Sequence, residues 1–390
     1  MISTLLVLGI AAAAFVGFNI GGSSTGVAWG PSIGADIIEK STAAAFMVVF
    51  VLIGGWTVGR NVTTTLGKDI VPQSAFSIEA SIVVLSFIGL GMLFANLYGV
   101  PISTSMTAVG AIAGLGLATN SLDWSIMREI IMWWLLAPII GFWCGGVVGR
   151  YLYPRLSRSF EVRRSGGPLL TVETDGTLPT PRFGPGTSRR EFVSTGTAFV
   201  IACYMSFSAG ASNVANAVAP LVGGGVIGSS RAVLLGTAAI GVGAFTIARR
   251  TMESVGNGLT DLPLFAATVV MLIAASITAV ASWLGNPISL ALSTVMTIVG
   301  LGWGRASRTE TAREIVRGDA DGEASTDAVP VEASDEANSA GREAVGDARN
   351  AGELFDPSAV IRFVGFWIAG PSAATVLSYL TFAFVPILSG

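Results

Sequence analysis

Histidine is missing from the chain, cysteine occurs twice, and lysine stands only at Lys40 and Lys68. Without histidine the commonest general base and the commonest metal ligand are both gone. Cys144 and Cys203 each sit in an apolar stretch with no metal or disulfide spacing, so both read as packing residues. Charge is scarce as well: 12% of residues are ionisable against 52% hydrophobic, and mean hydropathy is +0.69, which excludes an ordinary soluble domain. No charged side chain precedes Asp36, so the opening apolar run lacks the basic start of a cleaved secretory signal and reads as a retained first span.

What is present is a series of apolar segments near residues 2–17, 43–59, 79–97, 127–149, 191–206, 231–247, 263–284 and 358–388. Each is about long enough to cross a ~30 Å hydrocarbon core as a helix. Four pieces rich in Gly, Ser and Thr lie between them, near 18–34, 101–118, 207–226 and 287–303. They are expected to be half-helices or re-entrant turns, because broken backbone at membrane depth survives only inside protein or beside a water-filled cavity. The expected fold is an all-α polytopic membrane protein of about eight to twelve crossings, built from two inverted repeats.

Two polar stretches interrupt this pattern. Residues 150–190 carry eight arginines against three acids, which by the positive-inside rule places them in the cytoplasm. Residues 304–357 hold 13 of the 25 acids with six arginines and much Ala, Gly and Ser, the composition of a solvated, disordered loop. Such a loop reads as a salt-tolerant spacer, with a regulatory or partner-binding tail as the alternative. The expected organisation is a first membrane repeat at 1–150, a basic linker at 151–190, a second repeat at 191–303, the acidic loop at 304–357 and a C-terminal transmembrane helix at 358–390.

The chain also resembles itself. Pro101-Ile102-Ser103 through Leu115-Gly116 aligns with Pro287-Ile288-Ser289 through Leu301-Gly302, with prolines and glycines in register. Phe18 to Gly34 aligns with Phe207 to Gly223, and Arg60 and Gly67 match Arg249 and Gly256. Interrupted apolar segments at matching places in two halves point to a transporter's binding site.

A helix that begins inside the membrane presents unpaired N–H groups and the positive end of its dipole, an anion site in the making. Pro101 suits a first turn because it has no N–H to lose, and the hydroxyls of Ser103, Thr104 and Ser105 can donate to an oxyanion, as can Ser289 in the second copy. The bland alternative is that these hydroxyls only bond backbone carbonyls or hold helices together. Asn213 and Asn216, three apart, share a helical face. The small residues around Gly21 and Gly210 read partly as close packing and partly as ion ligands. Arg249, Arg250 and Glu253 read as a funnel or gate, or equally as an interfacial anchor.

At these residues the sequence resembles the inorganic phosphate transporter (PiT) family of cation-coupled symporters. Gly210-Ala211-Ser212-Asn213-Val214-Ala215-Asn216-Ala217 is similar to its Gly-Ala-Asn-Asp-Val-Ala-Asn motif, and Pro101-Ile102-Ser103-Thr104-Ser105 to its Pro-Val-Ser-Thr-Thr motif. The resemblance implies an anion near the midplane, held by Ser103, Thr104, Ser105, Ser289 and Asn216. It further implies a coupling cation, Na+ or H+, at Asn19, Ser23, Ser24, Ser212 and Asn213, and a homodimer in lipid. The family's motif aspartates are replaced by Ser24 and Asn213, and the first-half motif has drifted to Gly21-Gly22-Ser23-Ser24. In this, and at Ala95-Asn96-Leu97-Tyr98-Gly99-Val100-Pro101, the chain looks like the branch described as sulfate permeases.

The functional expectation is secondary active symport of inorganic phosphate across the cell membrane, with sulfate as the alternative. Monohydrogen phosphate can donate a proton and sulfate cannot, so a site lacking an acidic acceptor loses a means of preferring phosphate, unless a backbone carbonyl or Glu79 supplies one. A membrane enzyme would need a nucleophile with its base, or clustered acids for a metal, and neither is visible. A passive channel or a sensor without transport is the third reading. No cofactor and no nucleic-acid partner are expected.

Overall fold

The computed structural model describes residues 4–98, 102–153, 170–173, 180–184, 187–248, 264–318 and 357–385. Eleven α-helices appear among them: α1 (Thr4–Gly34), α2 (Lys40–Trp56), α3 (Gly59–Thr64), α4 (Ile78–Tyr98), α5 (Thr104–Ala118), α6 (Trp124–Val147), α7 (Arg189–Gly223), α8 (Ser229–Thr246), α9 (Leu264–Trp283), α10 (Leu290–Gly318) and α11 (Pro357–Phe384). Short π-helical turns extend α3 through Asp69 and α6 through Leu152. Seven helices are long and apolar enough to cross a membrane, and α2 with α3 forms an eighth candidate bent by 63°. In lipid each backbone group must be bonded within its own segment, which is why so apolar a chain is built from helices. The protein is an integral, multi-pass membrane protein.

The halves exchange partners with a regularity that carries the repeat from sequence into structure. α1 packs on α8 and α2 on α7; α5 packs on α11 and α6 on α10. A Cβ added to Gly21 would overlap the carbonyl oxygen of Ile240, and one on Gly243 that of Phe18. In the other crossing a Cβ on Gly54 would overlap the Phe207 oxygen, and one on Gly210 that of Val51. These four contacts form equivalent pairs at the same spacing of 189 positions that separates Ser24 from Asn213. Gly114 against the Thr375 oxygen and Gly300 against the Phe142 oxygen repeat the relation further along. By this match α11 is the counterpart of α6, and the two helices carry their internal prolines, Pro138 and Pro371, in equivalent places.

α1 and its counterpart α7 run antiparallel: Gly9 lies beside Leu221, Ser24 beside Asn213, and Trp29 beside Ser206. Two equivalent helices pointing in opposite directions are what an inverted repeat requires. The helix ends match too. Asp36, at φ 51°, closes α1 with the same three backbone bonds that Gly225, at φ 68°, closes α7.

Chain direction then sorts the elements by depth. α4 starts at the end of the bundle where α1 starts, where Ser81 Oγ donates to the Pro220 oxygen, and reaches Asn19 through Asn96. α5 begins at that depth and returns to the same end, where the Asp123 amide donates to the Ile70 oxygen. α9 and α10 form the matching pair from the opposite end, where Phe265 meets Tyr153 with ring centroids 5.6 Å apart. Two helical hairpins therefore enter from opposite ends and turn near the middle. At the start of α6, Asp123 caps the helix; the Ser125 hydroxyl foremost, then the amides of Ile126 and Ser125, hold its carboxyl below the usual carboxylate range.

Several expectations are corrected. The pieces 18–34 and 207–226 are not separate half-helices: they continue α1 and α7, because their glycines serve close helix crossings rather than breaks. The pieces at 101–118 and 287–303 do begin helices in mid-bundle; Pro287 lies in the turn before the Ser289 cap, and Pro101, expected in a first turn, lies outside the described residues. α10 runs helically through Gly318, fifteen residues into the stretch read as disordered from 304. The basic linker contains a pair of antiparallel four-residue strands, Leu170–Glu173 and Thr180–Phe183, that its composition did not announce. Most of the acidic loop, and Arg249, Arg250 and Glu253, lie outside the described residues.

Candidate functional site

Both mid-bundle helix starts are capped by the serine that the repeat places there. Ser103 Oγ accepts from the Met106 amide at 3.3 Å, and Ser289 Oγ accepts from the Leu292 amide at 3.1 Å. The expected role is thereby refined: each hydroxyl oxygen is committed to its own helix, which leaves the hydroxyl hydrogen to donate. A cap satisfies one of the four first-turn amides, so further N–H groups stay available at each start.

Between the two starts runs a connected polar network. Asn213 Nδ2 donates to Ser24 Oγ at 3.3 Å, Asn216 Nδ2 donates to Asn213 Oδ1 at 3.3 Å and to Ser105 Oγ at 3.0 Å, and Ser105 and Ser212 hydroxyls lie 3.2 Å apart. Ser212 Oγ in turn donates to the Ile288 carbonyl at 2.9 Å, one residue before Ser289. A single chain of contacts thus links α1, α5, α7 and the turn before α10. Ser105, Ser212, Asn213 and Asn216 are all buried, while Ser24 is half-buried.

Asn216 has one oxygen to spare. Both hydrogen-bonding directions of its amide nitrogen are used, but its buried Oδ1 has no donor among the described residues. With the amides so placed, Asn213 Nδ2 serves Ser24 and Asn213 Oδ1 serves Asn216. In this arrangement Asn216 Oδ1 is the terminal acceptor, and an unmet buried acceptor costs ~1–3 kcal/mol.

Three expected site residues stand apart from the network. Thr104 Oγ1 donates to the Met92 sulfur at 3.1 Å. Ser23 Oγ bonds back to the carbonyls of Asn19 and Ile20, the ordinary behaviour of a helical serine. Asn19 is held by Asn96, whose Nδ2 donates to its Oδ1 and its carbonyl, each at 3.1 Å. Asn96 belongs to the segment 95–101 quoted above, where the motif alone gives it no role in the site; its contact with Asn19 does. Glu79 is remote: it opens α4, about 25 Å along the helix from Asn96.

Electrostatically the centre is neutral. No Asp, Glu, Lys or Arg occurs in residues 80–98, 102–118, 196–223 or 287–303, nor in α1. Among the described residues no three acidic or cysteine side chains gather as a metal site. On the side where α1 ends, Trp29, Phe46 and Phe199 form an aromatic cluster with centroids 4.9–6.2 Å apart, and Trp29 Nε1 donates to Ser206 Oγ at 2.9 Å. Trp29 is fully buried, so water is excluded there.

Known proteins share this sequence pattern and fold. The chain is 27% identical over 304 residues to the sulfate permease CysP of Bacillus subtilis, covering 78% of each protein. It is 26% identical over 361 residues to a protein named as a phosphate permease from Pyrococcus abyssi, covering 77% of this chain and 88% of that one. Its fold is that of a solved sodium-dependent phosphate transporter, with a TM-score of 0.67 at 20% identity over 98% of this chain and all of the other. The model of the Phosphate transporter family matches residues 20–378. The chain belongs to the phosphate transporter family.

Proposed function

We propose that the protein is a secondary active transporter, not an enzyme, that carries inorganic phosphate across the cell membrane at the meeting point of the two hairpins. The observation that carries this reading is the pairing of two serine-capped helix starts with one acceptor, Asn216 Oδ1, that has no donor among the described residues. The helix starts suit the oxygens of a tetrahedral anion. The acceptor suits the hydroxyl of a protonated one. In this reading Ser103, Ser105, Ser289 and Asn216 contact the anion, and the Thr104 amide, rather than its hydroxyl, donates.

Sulfate is the second reading, favoured by the neutrality of the site and by the relative named as a sulfate permease. Uptake of labelled phosphate into proteoliposomes, with sulfate as competitor, separates the two. Accumulation of phosphate against its gradient with weak sulfate competition supports the first; accumulation of sulfate alone supports the second. Equilibration without accumulation would mean a passive pore.

The coupling cation is proposed at Asn19, Ser24, Ser212 and Asn213, with Ser23 placed less directly. These groups are neutral oxygens, able to hold Na+, whereas none is basic enough to keep a proton. A coupled proton would instead travel on the phosphate itself. Replacing sodium by a large organic cation abolishes uptake in the first case, and collapsing the pH gradient does so in the second. The homodimer implied by family resemblance is carried forward, with α6 offering an exposed apolar face of Leu135, Ile139 and Trp143.

A further inference from the structure

The turn that launches α10 is held from several directions by side chains outside the anion site. Asn61 Nδ2, from α3, donates to the Trp283 carbonyl at 2.6 Å. Trp134 Nε1, from α6, donates to the Pro287 carbonyl at 2.9 Å. Also from α6, Glu129 Oε1 accepts from Asn286 Nδ2 at 2.9 Å. Gly285 makes the turn possible with a φ of +83°, and a side chain there would press on Thr65 Oγ1 at 2.9 Å.

Glu129 differs from the other two anchors in carrying a carboxyl group, and a hydrogen bond to a carboxylate is roughly twice as strong as one between neutral groups. It also fixes orientation. A carboxylate only accepts, so it selects the nitrogen of Asn286 and sets that buried side chain in one rotamer. Asn286 is three residues before Ser289, and the residue in the equivalent place of the first half is Val100, which has no side-chain donor. The anchor is therefore particular to the second hairpin.

We propose that Glu129 is a positioning residue for transport: by holding Asn286 it fixes the direction in which α10 starts, and with it the aim of the Ser289 hydroxyl and first-turn amides at the anion. This rests on reading the helix starts as the anion site. Glu129 is not among the residues proposed to hold the anion or the coupling cation.

The test uses purified full-length protein, with phosphate and sulfate affinities and melting temperature measured side by side. Glu129→Ala and Asn286→Ala should each weaken anion affinity about 10-fold. The double variant should be no weaker than the worse single, since both remove the same contact. Glu129→Gln keeps an acceptor oxygen and should lie within about 3-fold of the parent. Three outcomes would overturn the proposal: parental affinity in Glu129→Ala, additive losses in the double variant, or a Glu129→Ala protein that melts earlier yet binds normally while folded. A parent protein that binds neither anion would instead overturn the functional reading, leaving the two failures distinct.

Discussion

Asn213 donates a hydrogen bond to Ser24, and the two are each other's counterparts, 189 positions apart. Residues related by the repeat touch only where its axis passes, so this contact marks the centre of the pseudo-symmetric molecule. It is also the place where the family motif puts aspartates and this chain has neutral groups. Two carboxylates this close would need a cation or a proton between them. An amide and a hydroxyl bond directly and need neither.

A carboxylate restored at the centre should bring cation dependence with it. Asn213→Asp buries an acid facing Ser24 Oγ and Asn216 Nδ2, and an uncompensated buried charge is costly. Uptake by this variant should depend more steeply than the parent's on sodium, or on pH if the acid protonates instead. Initial rates across a sodium series at constant ionic strength and two pH values decide it. Identical cation dependence in the two proteins would show that this pair does not govern coupling.

The two caps make a second, more local prediction. Ser103→Ala and Ser289→Ala each lose an N-cap, worth ~1 kcal/mol of stability, and also a hydroxyl donor to the anion. Losing a hydrogen bond to a charged partner is worth about 10- to 150-fold in affinity. Both variants should fold, melt slightly earlier and bind the anion at least 10-fold more weakly, while Ser→Thr at either position keeps cap and donor and should bind nearly normally. Equal affinity in the Ala variants, measured by equilibrium binding, would reduce Ser103 and Ser289 to structural caps.

How much of this was legible beforehand divides along physical lines. Duplicated Pro-Ile-Ser at 101 and 287 marked both mid-bundle helix starts, because a proline followed by hydroxyl residues in an apolar context has few other uses. Asn213 and Asn216 were legible as a pair from their spacing. The segments around Gly21 and Gly210 suggest both breaks and close packing, and only the packing is found: a glycine that ends a helix and one that lets a second helix approach look alike until the partner carbonyls of Ile240 and Val51 are seen. Glu129 with Asn286, and Asn19 with Asn96, were invisible because each pairs residues far apart in the chain with no motif between them. Thr104 was assigned by its neighbours; only the structure turns its hydroxyl toward Met92.

The crossing glycines supply a stability prediction with an internal control. Gly243→Ala drives a methyl group into the Phe18 carbonyl, backbone that cannot move without parting α1 from α8. The variant should lose several kcal/mol, at or beyond the upper range for overpacking, and yield little folded protein. Gly196→Ala, on α7, meets nothing within 4 Å and trades a flexible residue for a better helix former. It should be neutral or raise stability by ~0.5–1 kcal/mol. Size-exclusion yield and melting curves in detergent test both, and a well-folded Gly243→Ala would contradict the packing described for α1 and α8.

Chain direction also fixes which polar segments share a side, and this can be tested without transport. α6 ends and α7 begins at one end of the bundle, and α10 ends and α11 begins at that same end, so the connections 154–188 and 319–356 are expected on one side of the membrane. The turn around Gly225 and Gly228 connects α7 to α8 at the opposite end. The positive-inside rule assigns the arginine-rich end to the cytoplasm. In a Cys144→Ala, Cys203→Ala background, Gly228→Cys should react with an impermeant thiol reagent added outside intact cells, because that glycine is exposed with open space around it. Ser165→Cys and Ser339→Cys should react only after the membrane is opened. Labelling of Ser165→Cys from outside reverses the orientation while keeping the fold. Labelling of Ser165→Cys and Ser339→Cys from opposite sides would instead break the helix directions on which the inverted arrangement stands.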